Sequence, residues 1–327
     1  MTLKPEIVIL DGYTINPGDN PWNTLEELGN CTIYDRTPAE LKLERASDAE
    51  IILLSKVKLD EATLDRLPKL KYISMLATGY NNVDVAAAAR RGIPVSNIPA
   101  YSTASVVQTT FALLLELTTH VGLHDASVKA GEWISCPDHA YWKTPLLELD
   151  GLTLGIIGYG TIGQAVAKVG AAFGMNIIAY APRIPQDTSC VPVRFAPLEE
   201  LFSTADVISL NCPQTPENTG FVNVRMLGLM KQSAFLLNLG RGGLVNESDL
   251  AQALHNGQIA GAGLDVLANE PMRADTPLRD APNCIFTPHI AWASIAARKR
   301  LMAVVTANVA AYLAGAPINV VNGLSLK

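Results

Sequence analysis

Three polar side chains that follow late apolar runs of the sequence could perform acid–base chemistry on a small anion. Arg241 is flanked by glycines just after one such run, Glu270 lies in the loop after the next, and His289 comes directly after the last. A guanidinium binds a carboxylate through two parallel hydrogen bonds, and an imidazole oriented by a carboxylate can donate a proton to a forming alkoxide. These are the parts that reduction of a 2-oxo acid requires.

A glycine-rich turn could bind the second reactant. Gly158, Gly160 and Gly163 form the pattern Gly-x-Gly-x-x-Gly between an apolar run and a helical pattern. The first glycine permits a tight turn, the second lets backbone N–H groups approach a pyrophosphate, and the third allows the helix to pack against the strand. The pattern predicts a site for a nicotinamide or flavin dinucleotide.

The residues after the next strand candidate bear on which nicotinamide nucleotide is bound. An Asp or Glu normally stands about twenty residues after the glycines and bonds the ribose 2′-hydroxyl of NAD. Ala181 occupies this position, and Arg183 follows two residues later. A missing carboxylate and a nearby guanidinium favour NADP over NAD. The alternative is that Arg183 is a solvated loop residue and that the pocket accepts NAD with a weaker ribose contact.

Alternating strands and helices must position these residues. The strand candidates of the first hundred residues are Ile7–Leu10, Thr32–Tyr34, Ile51–Leu54, Tyr72–Met75 and Val95–Asn97. After the long apolar helix Ser105–Thr119, further candidates are Thr153–Ile157, Asn176–Tyr180, Val207–Leu210, Phe235–Asn238, Ala262–Val266 and Ile285–Thr287. The final helical pattern, Ser294–Leu313, is apolar on most faces and therefore requires a buried docking surface.

This order predicts an α/β protein with two Rossmann-like domains, each a doubly wound parallel sheet, and a C-terminal helix that returns to the first domain. Residues 1–100 and 293–327 are assigned to a discontinuous substrate-binding domain, and residues 101–292 to the dinucleotide-binding domain. We expect the active site in the cleft between them.

The composition excludes several other classes of protein. The chain has 327 residues, 49% of them hydrophobic and 17% charged, with a net charge of −6, so it offers no basic face for nucleic acid or anionic lipid. No apolar run reaches membrane-spanning length, and the N-terminus lacks the zones of a signal peptide, so we expect a cytoplasmic protein. The five cysteines are scattered, and His120 and His124 have no matching ligands nearby, so we expect neither disulfides nor a metal.

The chain resembles the D-isomer-specific 2-hydroxyacid dehydrogenases nearly end to end. The resemblance is carried, in chain order, by Ala77–Asp84, Asn97–Pro99 with Ser105–Val106, the glycine turn, Asn238–Gly243, Leu264–Val266, Asn269–Pro271 and Thr287–Ile290. Four segments are most similar to the glycerate dehydrogenases of this family, also called hydroxypyruvate reductases: Leu10–Tyr13, Ala77–Tyr80, Tyr141–Trp142 and His289–Trp292.

The resemblance implies a role for each candidate catalytic residue. His289 is implied as the general acid and base, and Glu270 as the carboxylate that bonds its far nitrogen and favours the imidazolium. Arg241 is implied to bind the substrate carboxylate and to polarise the 2-oxo group.

The resemblance also implies binding residues. Backbone N–H groups around Thr78 and Gly79 would hold the substrate carboxylate, and Lys56 is a candidate contact for the distal group of the substrate, with a surface lysine as the alternative. The positions that match nucleotide contacts of the family are Thr78, Thr161, Ile162, Cys212, Leu239 and Asp265. Gln108 stands where many relatives carry Glu.

The implied substrate is a small D-2-hydroxy or 2-oxo acid, with glycerate and hydroxypyruvate first. The alternative enzyme is an NADP-dependent reductase of glyoxylate or another 2-oxo acid, and the alternative from a different class is a nucleotide-sensing corepressor. The aromatic loop Trp133–Trp142 is similar to the dimer contacts of the family, so the resemblance also implies a symmetric homodimer.

Overall fold

Strands and helices alternate along the chain and form two separate parallel sheets. A computed structural model describes residues 4–324. The chain divides into two compact units, of which the first comprises Met1–Ser102 and Ala293–Lys327 and the second comprises Thr103–Trp292. The predicted fold class, α/β with two parallel sheets, is confirmed.

The first unit contains a five-stranded sheet with the order β2-β1-β3-β4-β5. Its elements up to residue 102 are β1 (Glu6–Ile9), α1 (Asn23–Glu26), β2 (Asn30–Ile33), α2 (Lys42–Ala46), β3 (Ile51–Leu54), α3 (Glu61–Leu64), β4 (Tyr72–Met75), α4 (Val85–Arg90) and β5 (Val95–Ser96). Every residue of β3 and β4 is buried, as expected for inner strands of a parallel sheet with both faces covered. The side chains of Asp60 and Asp84 cap α3 and α4 by accepting from backbone N–H groups.

The second unit contains a seven-stranded sheet with the order β12-β11-β10-β9-β6-β7-β8. Its elements are α5 (Thr103–Thr119), α6 (Val121–Lys129), β6 (Thr153–Ile157), α7 (Thr161–Ala172), β7 (Asn176–Tyr180), β8 (Arg194–Phe195), α8 (Leu198–Thr204), β9 (Val207–Leu210), α9 (Val224–Leu227), β10 (Phe235–Asn238), α10 (Glu247–His255), β11 (Gly261–Leu264) and β12 (Cys284–Phe286). The strand order reverses direction between β6 and β9. Open parallel sheets bind ligands at such a switch point, beyond the carboxyl ends of the strands.

Two apolar cores cover the two faces of this larger sheet. One contains Phe111 and Leu114 of α5 with Val166 of α7. The other contains Phe202 of α8 and Leu250 of α10. Helices on both faces fix the strands, and the strands in turn fix the start of every loop at their carboxyl ends.

The last helix, α11 (Ile295–Leu313), belongs to the first unit. The ring of Tyr312 stacks on that of Tyr72 in β4, with centroids 4.2 Å apart. Asn308 donates through Nδ2 to the carbonyl oxygen of Asn97 at 2.9 Å. These contacts supply the buried docking surface that its apolar sequence requires.

Three local features differ from the sequence-based expectation. The strand β8 has only two residues, too few for an apolar pattern, and α6 was not predicted because polar residues interrupt its apolar ones. Helix α7 begins at Thr161, inside the glycine pattern and not after it, because Gly160 is its N-cap. Within residues 4–324 no single helix meets the length and composition that a membrane span requires, although α5 and α6, bent by 57° at their junction, meet them jointly.

Candidate active site

The three candidate catalytic loops begin side by side at one edge of the larger sheet. The strands β10, β11 and β12 are hydrogen-bonded neighbours, with Asn238 paired to Leu264 and Leu264 to Phe286. Arg241 follows β10, Glu270 lies in the loop after β11, and His289 follows β12. The topology therefore gathers the residues that the sequence singled out.

His289 sits on a backbone conformation that needs external support. Its φ of 54° lies in the left-handed region, which is costly for a residue with a Cβ. Its N–H donates to the carbonyl oxygen of Asp265 at 2.8 Å, and the next two N–H groups, of Ile290 and Ala291, donate to the Asp265 carboxylate at 2.9 and 3.0 Å. Asp265 thus holds the whole turn.

The Asp265 carboxylate is only 2% exposed. Burial raises its pKa above the ordinary value, while hydrogen bonds from Thr287, Ala291 and Ile290 act in the opposite direction. The Thr287 hydroxyl donates to it at 2.6 Å. The resemblance to the dehydrogenase family assigns Asp265 to the surroundings of the nucleotide, and its contacts with the His289 turn could not be read from the sequence.

Glu270 and His289 form a hydrogen-bonded pair. Glu270 Oε2 lies 2.6 Å from His289 Nδ1, and Glu270 Oε1 accepts from the backbone N–H of Leu267 at 3.2 Å. A carboxylate at Nδ1 keeps a proton on that nitrogen, so Nε2 is the ring atom that can exchange a proton with a substrate. The far-nitrogen contact that the resemblance implied is present.

Arg241 is held by its neighbours in the loop after β10. The buried Asn238 donates through Nδ2 to the Arg241 carbonyl oxygen at 2.9 Å and accepts from Gly240 N–H at 3.1 Å. A Cβ on Gly242 would lie 1.8 Å from the carbonyl carbon of Leu267. The loops that carry Arg241 and Glu270 therefore pack backbone against backbone, which only a glycine at position 242 allows.

The glycine turn has the shape that a dinucleotide pyrophosphate needs. Gly158 has a φ of 95°, and a Cβ there would lie 2.7 Å from the backbone nitrogen of Cys212. A Cβ on Gly163 would lie 2.1 Å from the Gly158 carbonyl oxygen, so helix and strand touch. A Cβ on Gly160 would meet nothing within 4 Å, and α7 begins without a side-chain cap. The N–H groups of Thr161 and Ile162 thus begin the helix beside open space, and an anion fits there.

The other predicted nucleotide residues follow neighbouring strands of the same sheet. Cys212 follows β9 and is half-buried, and Leu239 follows β10 and is buried. Ala181 follows β7 and packs against the apolar core, whereas Arg183 is exposed in the loop beyond it. The Arg183 guanidinium is therefore available to solvent and to ligands.

The predicted substrate residues of the first unit lie after β3 and β4, which are hydrogen-bonded neighbours. The Thr78 hydroxyl donates to the Ile98 carbonyl oxygen at 2.6 Å, which fixes the turn. Within residues 4–324, the backbone N–H groups of Thr78 and Gly79 donate to no protein acceptor. They can therefore bind an anion.

The turn that carries Lys56 is fixed by Asp11, which sequence reasoning missed as a structural residue. The Asp11 carboxylate, at the end of β1, accepts from the N–H groups of Ser55, Lys56 and Val57 at 2.7, 2.5 and 3.0 Å. Asn82 donates to the carbonyl oxygens of Ser55 and Val57. Both sides of this short turn are thus bonded to other segments.

His120 lies at the junction of α5 and α6 in a left-handed conformation, and His124 lies within α6, so the two do not share a helical face. His124 Nδ1 lies 2.8 Å from the His120 carbonyl oxygen, and its Nε2 accepts from the N–H of Lys143 at 3.1 Å. Across the part of the chain that the structure describes, no three His, Cys, Asp or Glu side chains are grouped to hold a metal ion.

Comparison with known proteins gives the family of the chain. Residues 111–291 match the sequence model of the D-isomer specific 2-hydroxyacid dehydrogenase, NAD binding domain. A hydroxypyruvate reductase of Blautia hydrogenotrophica is 48% identical over 97% of this chain and 99% of its own length. A glycerate dehydrogenase of Methylorubrum extorquens is 42% identical over 87% of this chain and 89% of its own length.

A solved structure agrees with these relatives. An NADPH-dependent glyoxylate/hydroxypyruvate reductase from Sinorhizobium meliloti, in complex with NADP and malonate, superposes with a TM-score of 0.84 at 30% identity, covering 97% of each chain. Sequence and structure thus agree over almost the full length. The chain belongs to the D-isomer-specific 2-hydroxyacid dehydrogenase family, and its second unit is the NAD binding domain of that family.

Proposed function

We propose that this enzyme transfers a hydride between a nicotinamide nucleotide and hydroxypyruvate or its product, D-glycerate. The observation that carries the proposal is the 2.6 Å contact between Glu270 and His289, in the unit that also holds Arg241 and the glycine turn. The names of the Blautia and Methylorubrum relatives support this substrate. They give no support to the corepressor alternative.

In the direction of reduction, the chain itself has two tasks. The Arg241 guanidinium binds the substrate carboxylate and polarises the 2-oxo group. His289 Nε2 donates a proton to the carbonyl oxygen as the C=O bond becomes an alcohol, and Glu270 stabilises the imidazolium that donates it. The glycine turn would hold the pyrophosphate of a nicotinamide nucleotide, which in its reduced form would supply the hydride for the carbonyl carbon. Oxidation of D-glycerate returns the proton to His289.

The first unit is proposed to supply further substrate contacts. The Thr78 and Gly79 N–H groups, which have no protein acceptor within residues 4–324, are suited to the substrate carboxylate. Lys56 follows β3, next to the strand that precedes them, and Asp11 fixes its turn. A cation there suits the distal hydroxyl of hydroxypyruvate, a group that glyoxylate lacks.

NADP is the proposed preferred cofactor. Ala181 can neither accept from the ribose hydroxyls of NAD nor repel a 2′-phosphate, and Arg183 is exposed nearby. The related Sinorhizobium enzyme is described as NADPH-dependent, which supports the same preference.

A homodimer is proposed from one surface of the second unit. Eight large apolar side chains between residues 121 and 147 are exposed: Val121, Leu123, Val128, Trp133, Ile134, Trp142, Leu146 and Leu147. An exposed patch of this kind marks an interaction site. The resemblance to the dimer contacts of the family favours a second copy of this chain as the partner.

The proposed function is tested with a matrix of substrates and cofactors. Purified protein is assayed with hydroxypyruvate, glyoxylate, pyruvate and 3-phosphohydroxypyruvate, each with NADH and with NADPH. We expect the highest kcat/KM for hydroxypyruvate with NADPH. A higher value for glyoxylate would favour the alternative reductase, and no turnover of any of the four acids would refute the proposal.

A further inference from the structure

One partly exposed network beside the loop of Glu270 has no role in the mechanism above. Glu247 is the first residue of α10. Its Oε1 accepts from the backbone N–H of Ala268 at 2.7 Å, and its Oε2 accepts from the Thr276 hydroxyl at 3.2 Å. Ala268 lies two residues before Glu270, in the same loop. Glu247 therefore bonds the loop that carries the catalytic carboxylate.

Other contacts support this loop at neighbouring residues, and the bond to Glu247 supports it at Ala268. The N–H of Leu267 donates to Glu270 Oε1, and Glu270 Oε2 contacts His289 Nδ1. The close approach of Gly242 to Leu267 supports the loop from one side. The hydrogen bond to Glu247 is the one that joins the next amide, Ala268, to a helix.

We propose that Glu247 is a positioning residue for catalysis: by holding Ala268, it keeps the Glu270 carboxylate within hydrogen-bonding distance of His289 Nδ1. The inference rests on the proposed function, in which Glu270 stabilises the protonated His289. Glu247 acts through the loop, since its carboxylate accepts hydrogen bonds from Ala268 and Thr276.

Two explanations of a Glu247 effect must be separated. The charged groups that the second unit carries at this edge of the sheet are Glu270 in contact with His289, Asp265 bonded to the backbone of the turn, and Arg241 after β10, two strands from β12. The negative charge of Glu247 could act on His289 directly, without any positioning of the loop. Replacement by Gln removes the charge and keeps an oxygen that accepts from Ala268, whereas replacement by Ala removes both.

The experiment compares Glu247→Ala with Glu247→Gln, with Thr276→Val as the matched control that loses only the other hydrogen bond. For Glu247→Ala we expect kcat for hydroxypyruvate reduction at neutral pH to fall by on the order of 10-fold, because a misplaced carboxylate no longer favours the imidazolium. Activity should return at acidic pH. The KM for the nucleotide should not change. Glu247→Gln and Thr276→Val should stay within about 2-fold of the wild type at every pH.

A double variant supplies the decisive comparison. If Glu247 acts through Glu270, then Glu247→Ala added to Glu270→Gln should cause no further loss. A further loss as large as the one that Glu247→Ala causes alone would overturn the proposal. Identical pH profiles for Glu247→Ala and Glu247→Gln would overturn it as well. If Glu247→Ala does not fold, Glu247→Asp replaces it, since the shorter side chain cannot reach Ala268.

A readout without turnover distinguishes failure of this inference from failure of the proposed function. The ring protons of His289 are followed by NMR across a pH series in wild type, Glu247→Ala and Glu247→Gln. We expect the midpoint of the pH-dependent change in chemical shift to move to lower pH in the Ala variant and to stay in place in the Gln variant. An unchanged midpoint in the Ala variant would overturn the positioning role whatever the substrate is.

Discussion

At the scale of single residues, two acids contact His289 and its turn, and they have different roles. Glu270 contacts the ring of His289, whereas Asp265 contacts the backbone of the same turn. The first carboxylate favours the charged imidazole, and the second compensates for the left-handed conformation that presents it. Removal of Glu270 and removal of Asp265 should therefore have different consequences.

The role of His289 is tested by His289→Ala. Without a proton donor for the forming alkoxide, kcat for hydroxypyruvate reduction should fall by roughly 10²–10⁴-fold, while nucleotide binding measured by fluorescence titration stays intact. His124→Ala is a control, because the ring of His124 bonds to the backbone of His120 and Lys143 and not to a candidate catalytic residue within residues 4–324. Near-normal turnover of His289→Ala would show that the proton comes from elsewhere.

Glu270→Gln should change the pH dependence of the reaction more than its maximal rate. The neutral amide stabilises the imidazolium less than a carboxylate does, so reduction should survive at acidic pH and decline at lower pH than in wild type as the pH rises. A pH–rate profile of both proteins measures this shift. Superimposable profiles would contradict the assignment of Glu270.

Cofactor preference is tested at the ribose-binding position. Ala181→Asp should shift the ratio of kcat/KM towards NADH, because a carboxylate accepts from the ribose hydroxyls and repels a 2′-phosphate. Arg183→Ala should weaken NADPH selectively, and Arg194→Ala, which removes the partner of Glu200, is a matched control. A wild type that strongly prefers NADH, with KM values unchanged in Arg183→Ala, would refute the NADP preference.

At the scale of elements, the start of α11 is held by an ion pair with the segment after β1. The buried guanidinium of Arg298 contacts the Asp19 carboxylate through two nitrogens and donates from Nε to the Ala293 carbonyl oxygen at 3.1 Å. The hydrogen bond from Arg298 holds the pKa of Asp19 below its ordinary value of 3.8. The pair thus ties the returning helix to the sheet that it covers.

This ion pair should give the first unit an acid-dependent stability. A folded-state pKa below 3.8 means that the contribution is complete above that pH and is lost as the pH falls through the folded-state value. Asp19→Asn should therefore lower Tm at pH 7, and the difference from wild type should shrink as the pH falls below 3.8. Asp275→Asn, which breaks a fully exposed pair with Arg273, should leave Tm nearly unchanged. Equal effects of the two substitutions at pH 7 would contradict this account.

At the scale of the whole molecule, the sequence predicted most of the framework. Inner parallel strands such as β3 and β9 are continuous apolar runs, and glycines mark the nucleotide turn, so both were visible without coordinates. The residues that position others were not. Asp11, Asp265 and Glu247 bond to backbone N–H groups distant in sequence, and an amide carries no residue-specific pattern that a sequence could show.

The proposed dimer is a second prediction at this scale. Light scattering at micromolar concentration should give twice the mass of one 35.0 kDa chain. Trp133→Glu combined with Ile134→Glu should yield monomers, because each places a charge in the proposed apolar contact. Val224→Glu, at an equally exposed apolar residue outside this surface, is the control. A monomeric wild type would contradict the proposal.

The discontinuous first unit has a consequence for the time course of synthesis. Residues 103–292 separate β5 from α11, and ribosomes add about 5–20 residues per second, so roughly 10–40 s pass between the two. During that interval Tyr72 lacks the ring of Tyr312 that later covers it. The contiguous second unit can complete its sheet in the meantime. The first unit, whose strands are synthesised before the second unit, is therefore expected to be the last to finish folding.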